Sequence, residues 1–384
     1  MSEWKRREFL ASLPVMAGSA WLAEEWAALG RQGAEAPGRL LEVLPFQDER
    51  GNAVGQVTGS GLEGRLALDL SRLGPQEIIT PNSQFFIRTR LPDQLDPHRP
   101  WVIEVGGLAQ SPFQLSIENL LDQTVPQGVH LAECSGNSRF RHFGLISAAR
   151  WEGVPLAGIL PRSAPLPEAA LVEIAGFDEH SEEVAGSVSG ASWIFTFGQL
   201  QESGAFLATR MNGEPLPADH GYPVRLVVPG WYGCCWAKWV ERITWMDASA
   251  AATSQMKEYA GRTHQHGVPR LARDYRPALI DLSAMPVRVE KRRLGGRIFY
   301  RVTGIMWGGD KLTDALQIRF AEDEEYRPVE SCQHRSNATW NLWTHTWKPR
   351  RSGLHDIQLR IADPSIRTRR LDQDYYLRSV EVRL

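Results

Sequence analysis

The stretch Leu131-Ala-Glu-Cys-Ser-Gly-Asn-Ser-Arg139 places one of the chain's four cysteines, Cys134, before a turn-forming Ser-Gly-Asn-Ser run and close to Arg139, Arg141 and His142. A thiol beside several cations is expected to have a depressed pKa and to sit partly as thiolate, the form that attacks or binds metal. A cysteine ending an apolar run equally suits a small buried hydrophobe. Two further groups could do chemistry. Arg88 and Arg90 follow the Phe85-Phe86 pair at period two, so they would share one face of a strand or extended loop. Such a pair suits an oxyanion, which guanidinium binds through two parallel hydrogen bonds, or it is a solvated edge strand. His220, Arg225 and Lys238 flank a turn and a buried run, Val224 to Val228, and could meet at one site. A phosphate is what such a set would bind. His264 and His266 have no third ligand nearby and read as solvated loop residues.

Strands must carry most of these residues. Val129 to Glu133 delivers Cys134 at a strand end, where loops carry chemistry. Trp101 to Val105 alternates as a strand, Ser116 to Leu121 suits a short Ser-initiated helix, and Leu171 to Ile174 reads as another strand. Residues 37–79, rich in glycine, read as an irregular lead-in, and 249–285 as a linker wrapped on the surface. From Pro286 onward short alternating runs recur, including Phe299 to Thr303, Leu316 to Phe320 and Leu354 to Ile361, as in a β-sandwich. Trp340, Trp343 and Trp347 suit its core or an interface. Fourteen Trp with 34 Gly and 24 Pro suit a turn-rich, mostly β or α+β protein. A formal net charge of −2 argues against general nucleic-acid binding. Walker and GxGxxG fingerprints are absent, so a nucleotide on a helix N-terminus is not indicated.

At the N-terminus, Lys5-Arg6-Arg7-Glu8-Phe9-Leu10 precedes a modest apolar run. Residues 1–36 resemble a twin-arginine signal, with Ala34-Glu-Ala36 as a cleavage site and a periplasmic destination. Such signals export proteins already folded, often because a cofactor is inserted in the cytoplasm. No run of about 20 apolar residues marks a permanent membrane span. Cys134, Cys234, Cys235 and Cys332 do not read as a disulfide scaffold, and without a C-x-x-C neither a zinc ribbon nor covalent haem is encoded.

Several ordered motifs together resemble the sulfite oxidase family of molybdenum enzymes. They are Phe85-Phe-Ile-Arg88, Glu133-Cys-Ser-Gly-Asn-Ser-Arg139, Ala149-Arg-Trp151, Asn212-Gly-Glu-Pro-Leu-Pro, Asp219-His-Gly-Tyr-Pro-Val-Arg225, Val228-Pro-Gly-Trp-Tyr-Gly and Lys238-Trp239. The match covers roughly Thr80 to Leu384. It implies an α+β, mostly β fold: a mixed α/β molybdopterin-binding domain over 80–248, then an Ig-like β-sandwich dimerisation domain over 286–384. Carried over, it makes Cys134 the thiolate ligand of molybdenum, an ion able to deprotonate a coordinating thiol outright. Phe86, Arg88, His220, Arg225 and Lys238 match residues that hold the pterin. Arg88, Arg139 and Trp151 match the substrate-oxyanion pocket, and Tyr259 the active-site tyrosine. Arg90 stands where relatives often carry His, and the family's C-terminal substrate arginine is unassigned among Arg367, Arg369, Arg370 and Arg378.

The resemblance implies oxidation of sulfite, or a related small sulfur oxyanion, by oxygen-atom transfer. Electrons would leave to an external acceptor, a c-type cytochrome, from a homodimer. A sulfane dehydrogenase subunit and a protein-methionine-sulfoxide reductase are the neighbouring activities, though the reductase's relatives generally lack the sandwich. In a different class stands a non-catalytic secreted binding protein in which Cys134 is only a core residue.

Overall fold

A computed structural model describes residues 38–384 apart from 48, 50–52, 75–77, 97, 182–186 and 188. The twin-arginine-like segment lies outside the described residues. In chain order the strands up to residue 246 are β1 (Arg39–Leu44), which joins the second unit, and β2 (Val102–Gly107), β3 (Phe113–Ser116), β4 (Val125–Glu133), β5 (Ile146–Pro155), β6 (Leu171–Gly176), β7 (Ser192–Phe195), β8 (Phe206–Met211), β9 (Glu214–Pro215), β10 (Arg225–Val227) and β11 (Val240–Met246) of the first. The rest are β12 (Ser283–Leu294), β13 (Arg297–Trp307), β14 (Leu316–Arg319), β15 (Arg327–Pro328), β16 (Ser331–Cys332), β17 (Asn341–Trp347), β18 (Gly353–Ile361) and β19 (Arg378–Val382).

Two sheets build the first unit: β10-β8-β5-β4 with β9 paired to β8, and β3-β2-β11-β6-β7, in which β2 and β11 run parallel. Their inward residues form one large core that includes Trp151, Trp193, Trp239 and Phe206. Short helices close the connections. Ile117–Gln123 starts at Ser116, whose hydroxyl accepts from the Asn119 amide, and Phe197–Glu202 begins with a reciprocal capping box between Thr196 and Gln199. The second unit packs β1-β12-β13-β17-β16 against β15-β14-β18-β19 around Leu316, Trp343, Trp347, Val380 and their neighbours. Among the described residues no helix is long and apolar enough to cross a membrane.

Two segments are more ordered than their composition suggests. Inside the expected lead-in, Arg39–Leu44 pairs antiparallel with β12, from Arg39 opposite Arg293 to Leu44 opposite Val289. Inside the expected linker, Ser254–Tyr259 is a helix capped by Thr253, with Met256 and Ala260 fully buried. Both were obscured for the same reason: each buries few residues, too few for a hydrophobic period to register. The units also interlock. Trp307, Trp340 and Tyr376 of the second belong to the core of the first, and the Leu131 amide donates to the Ala338 carbonyl at 2.7 Å.

Within β13, Gly304 lies under the Trp343 indole; a Cβ there would stand 2.1 Å from the ring and 2.5 Å from the Met285 carbonyl oxygen. Neither neighbour can retreat without disturbing the sheet. Gly304→Ala should therefore destabilise the protein by about 1–3 kcal/mol, as overpacked cores do, read as a lower denaturant midpoint with an unchanged slope.

Candidate active site

The loop bearing Cys134 is tied down from three directions. Strand β4 ends at Glu133, after which the Cys134 amide donates to Leu145 O at 2.9 Å and the Asn137 amide to Cys134 O at 2.9 Å. The Asn137 side chain spans the loop, accepting from the Leu145 amide at 3.0 Å. Beneath it the Glu133 carboxylate, fully buried, accepts from Tyr376 Oη at 2.7 Å, Trp307 Nε1 at 2.9 Å and Asn137 Nδ2 at 3.3 Å. Arg370 Nη1 stands 3.8 Å from the same carboxylate, while its Nη2 donates to Ser135 O at 2.6 Å and Arg262 O at 3.0 Å. The second unit thus grips the cysteine loop. Of the four C-terminal arginines, Arg370 is the one reaching this loop: Arg369 pairs with Asp281, Arg378 with Glu49, and Arg367 is exposed.

Cys134 is buried, and its Sγ accepts from the Gly136 amide at 3.4 Å. Burial pushes its thiol up, while Arg88 and the Gly136 amide pull it down. Burial prevails, so the depressed pKa expected from neighbouring cations does not hold for the protein alone. The expectation failed because solvated cations were counted and desolvation was not. Adjacent Cys234 and Cys235 are buried free thiols with sulfurs 4.0 Å apart.

Arg88 enters on the segment after Phe85 and Phe86, whose stacked rings are 5.5 Å apart and which the Phe86 amide anchors to Ser147 Oγ at 3.0 Å. Both terminal nitrogens of Arg88 lie 3.3 Å from Ser187 Oγ. Tyr259 ends its short helix within the electrostatic reach of Arg88 and Cys134, and burial raises its hydroxyl pKa to about 12. Arg88, Cys134 and Tyr259 are therefore one cluster.

A second cluster holds His220, Arg225 and Lys238. Gly221, at φ +104°, lets the chain reverse where a Cβ would come within 3.1 Å of the Cβ atoms of Arg225 and Lys238. Arg225 donates to His220 O at 3.1 Å, and Lys238 Nζ to Thr89 O at 2.5 Å and Asp219 O at 2.9 Å. Burial lowers Arg225 to about 9; burial, then Arg225, lowers Lys238 to about 7 and His220 to about 3. Buried Arg225 Nε has no hydrogen-bond partner among the described residues. Buried Arg225 and Lys238 beside a neutral His220, with one guanidinium nitrogen left unbonded, form a cradle that an anion would complete. A pterin phosphate fits it, with Phe86 packed near Gly233 between the two clusters. Among the described residues no three His, Cys, Asp or Glu side chains assemble as a metal site, so Cys134 would be the protein's ligand and the cofactor would supply others.

Two residues lie elsewhere than their place in the motifs suggested. Arg139 is exposed and donates to Leu377 O at 3.4 Å, where its charge opposes that of Arg378. Its place after the turn suggested the pocket, but the 3-10 turn Arg139–Arg141 carries it to the surface. Trp151 is fully buried: its indole donates to His130 O at 3.2 Å, packs edge-on to Phe85 and Trp236, and lies 5.5 Å below the Arg225 guanidinium. It lies in the core beneath Arg225, away from any surface. Arg90, in the position relatives often give to His, pairs with Asp219 at 3.0 Å. The residues the sequence did not single out were Glu133 and Arg65, while Arg370 was one of four unassigned arginines. Only Glu133 carried a signal, a carboxylate ending an apolar strand, where an unpaired charge is costly.

The comparisons with known proteins agree with this geometry. Residues 89–254 match the oxidoreductase molybdopterin-binding domain. Mitochondrial sulfite oxidases of Macaca fascicularis and Homo sapiens are each 30% identical over 300 residues, covering 70% of this chain and 53% of theirs. An NADPH nitrate reductase of Neurospora crassa is 29% identical over 267 residues, covering 59% of this chain and 27% of its own. In fold, the sulfane dehydrogenase SoxCD from Paracoccus pantotrophus superposes with a TM-score of 0.59 at 18% identity, over 94% of this chain and 85% of that one. Fold and site thus define a molybdopterin-dependent oxidoreductase. More narrowly, the chain is similar to the sulfite oxidases, and it spans about half the length of those it matches.

Two outcomes follow from the geometry. Glu133→Ala leaves Arg370 buried without its carboxylate, so it should cost about 3–5 kcal/mol in chemical denaturation. His220 binds its proton only near pH 3 in the folded chain but near 6.5 when unfolded, and His264, lowered chiefly by burial, near 4. Between those values the unfolded chain holds more protons, so stability falls as pH drops from 6.5 toward 3. Melting temperatures measured across this window should decline, and His220→Gln should flatten the decline.

Proposed function

We propose that this chain oxidises sulfite to sulfate and passes the two electrons singly to an external c-type cytochrome. The observation that carries the reading is the juxtaposition of Cys134, Arg88 and Tyr259 beside the cationic cradle of His220, Arg225 and Lys238. When bound, the molybdenum cofactor supplies oxygen-atom transfer, taking two electrons from sulfur while water replaces the oxygen delivered: sulfite plus water gives sulfate, two electrons and two protons. Cys134 would ligate the metal, and His220, Arg225 and Lys238 would hold the pterin phosphate, which restores the protonated state of Lys238 that burial disfavours. Arg88 offsets the charge of the incoming oxyanion. The Tyr259 hydroxyl, neutral far above neutral pH, donates a hydrogen bond without adding charge. Glu133 and Arg370 keep the cysteine loop in place.

A sulfane dehydrogenase subunit is the second reading, favoured by a fold shared with SoxCD across nearly the whole chain. The twin-arginine-like start supports a periplasmic location, with the cofactor loaded before export. A homodimer belongs to the same reading by family resemblance.

The test uses full-length protein from a cofactor-competent host. It should contain about one molybdenum and one pterin per chain, and reduce cytochrome c when sulfite is added. Folded protein with neither metal nor pterin sinks the enzyme reading; turnover with sulfane sulfur but not sulfite selects the second. Cys134→Ala should lose cytochrome reduction at least about a thousandfold while its circular dichroism stays unchanged.

A further inference from the structure

Arg262 belongs to the stretch whose composition reads as a surface linker, yet it stands over the metal-ligand loop. Helix Ser254–Tyr259 runs into the 3-10 turn Ala260–Arg262, closed where Thr263 Oγ1 donates to Tyr259 O at 2.9 Å. Glu258 and Tyr259 precede Arg262 by four and three residues, so helical spacing sets all three on one face. The contacts follow: Arg262 Nη2 donates to Glu258 Oε1 at 3.0 Å, and the guanidinium lies 5.2 Å from the centre of the Tyr259 ring. Behind, the turn is tied to the cysteine loop, because Arg370 Nη2 donates both to Arg262 O at 3.0 Å and to Ser135 O at 2.6 Å. In front, the side chain reaches Gly136. A Cβ on Gly136 would stand 3.5 Å from Arg262 Nη1 and 3.8 Å from Cys134 Sγ, so guanidinium and thiol flank one small space that a residue without a side chain leaves open. The Arg262 side chain is 43% exposed and that of Glu258 26%. An ion pair this solvated is weak, and a guanidinium exchanges it readily for an oxyanion held where water is scarcer.

We propose that Arg262 is a specificity-determining residue of the substrate pocket: its guanidinium turns from Glu258 to the incoming oxyanion, and Glu258 competes with that anion for it. The inference rests on the reading that substrate meets the metal beside Cys134 and Tyr259, but not on which sulfur compound is oxidised. Two roles for the ion pair are separable. A pair that only braced the helix end would respond alike to the loss of either partner. A guanidinium that receives the anion responds in opposite senses: removing the carboxylate frees it, and removing the guanidinium deletes the anion's own partner.

Sulfate, a tetrahedral dianion that cannot be oxidised further, reads the site without turnover. In calorimetric titration of the full-length holoprotein at low ionic strength, Arg262→Gln should bind sulfate about tenfold more weakly than wild type. Glu258→Gln should bind it about threefold more tightly. In turnover, Arg262→Gln should raise KM more than it lowers kcat, and Glu258→Gln should lower KM. Lys257→Gln removes an exposed cation from the same helix and should shift sulfate affinity by no more than about twofold, which separates contact from general charge. Sulfate affinity unchanged in either pocket variant, moved the same way in both, or weakened as much by Lys257→Gln as by Arg262→Gln overturns the inference. Wild-type holoprotein that oxidises neither sulfite nor sulfane sulfur overturns the functional reading instead, and the sulfate affinities, which need no turnover, still decide the role of Arg262.

Discussion

A fully buried carboxylate, Glu133, is the interaction on which the site depends. An ion in a protein interior loses several kcal/mol of hydration and is tolerated only when partners replace what water supplied. Here the replacements come from far along the chain: Trp307 from β13, Tyr376 and Arg370 from the loop before β19, and Asn137 from the cysteine loop itself. Because Glu133 is covalently adjacent to Cys134, satisfying the carboxylate also fixes the thiol. The C-terminal sheets are thus more than an appended module. They contribute the donors that hold the metal-ligand loop, and Arg370 reaches one residue beyond Cys134 to the Ser135 carbonyl.

The remainder of the site is a problem of like charges. Arg65, Arg88, Arg225 and Lys238 gather from four separate stretches around a His220 that burial keeps neutral, and burial works against the charge of Arg65, Arg225 and Lys238. Carbonyl oxygens of Thr89, Asp219, His220, Leu62 and Gly64 partly compensate. Arg225 Nε, with no hydrogen-bond partner among the described residues, leaves part of that balance for an anion to supply. Trp151 and Trp236 lie beneath Arg225 as aromatic faces, which stabilise a guanidinium without neutralising it. That lets the cation remain available to a phosphate.

Much of this was visible in the sequence where one residue type at one spacing has few alternatives. The strand ending at Cys134, the Ser116-capped helix and the alternating C-terminal strands follow from local period and capping chemistry. The ordered motifs from Phe85 to Lys238 marked the resemblance and the trio His220, Arg225 and Lys238 that the fold brings together. Arg139 shows the limit. Five residues after Cys134, its place was inferred from order along the chain, but a 3-10 turn rotates it outward. Trp151 shows the other side: an aromatic in a motif was assigned to substrate, whereas the sheet pleat turns it into the core.

By itself, then, the sequence determined the class of protein and singled out the thiol and the cations that the fold gathers, because these depend on residue type and on short-range pattern. Tertiary structure alone decided which charges are buried, and therefore which ones act. It raised the Cys134 thiol where proximity to arginines suggested the opposite, brought Arg65 from the glycine-rich lead-in to the back of Arg88, and made Arg370 the C-terminal arginine that meets the cysteine loop. Desolvation and long-range pairing are properties of neighbours distant in sequence, and no local pattern encodes them.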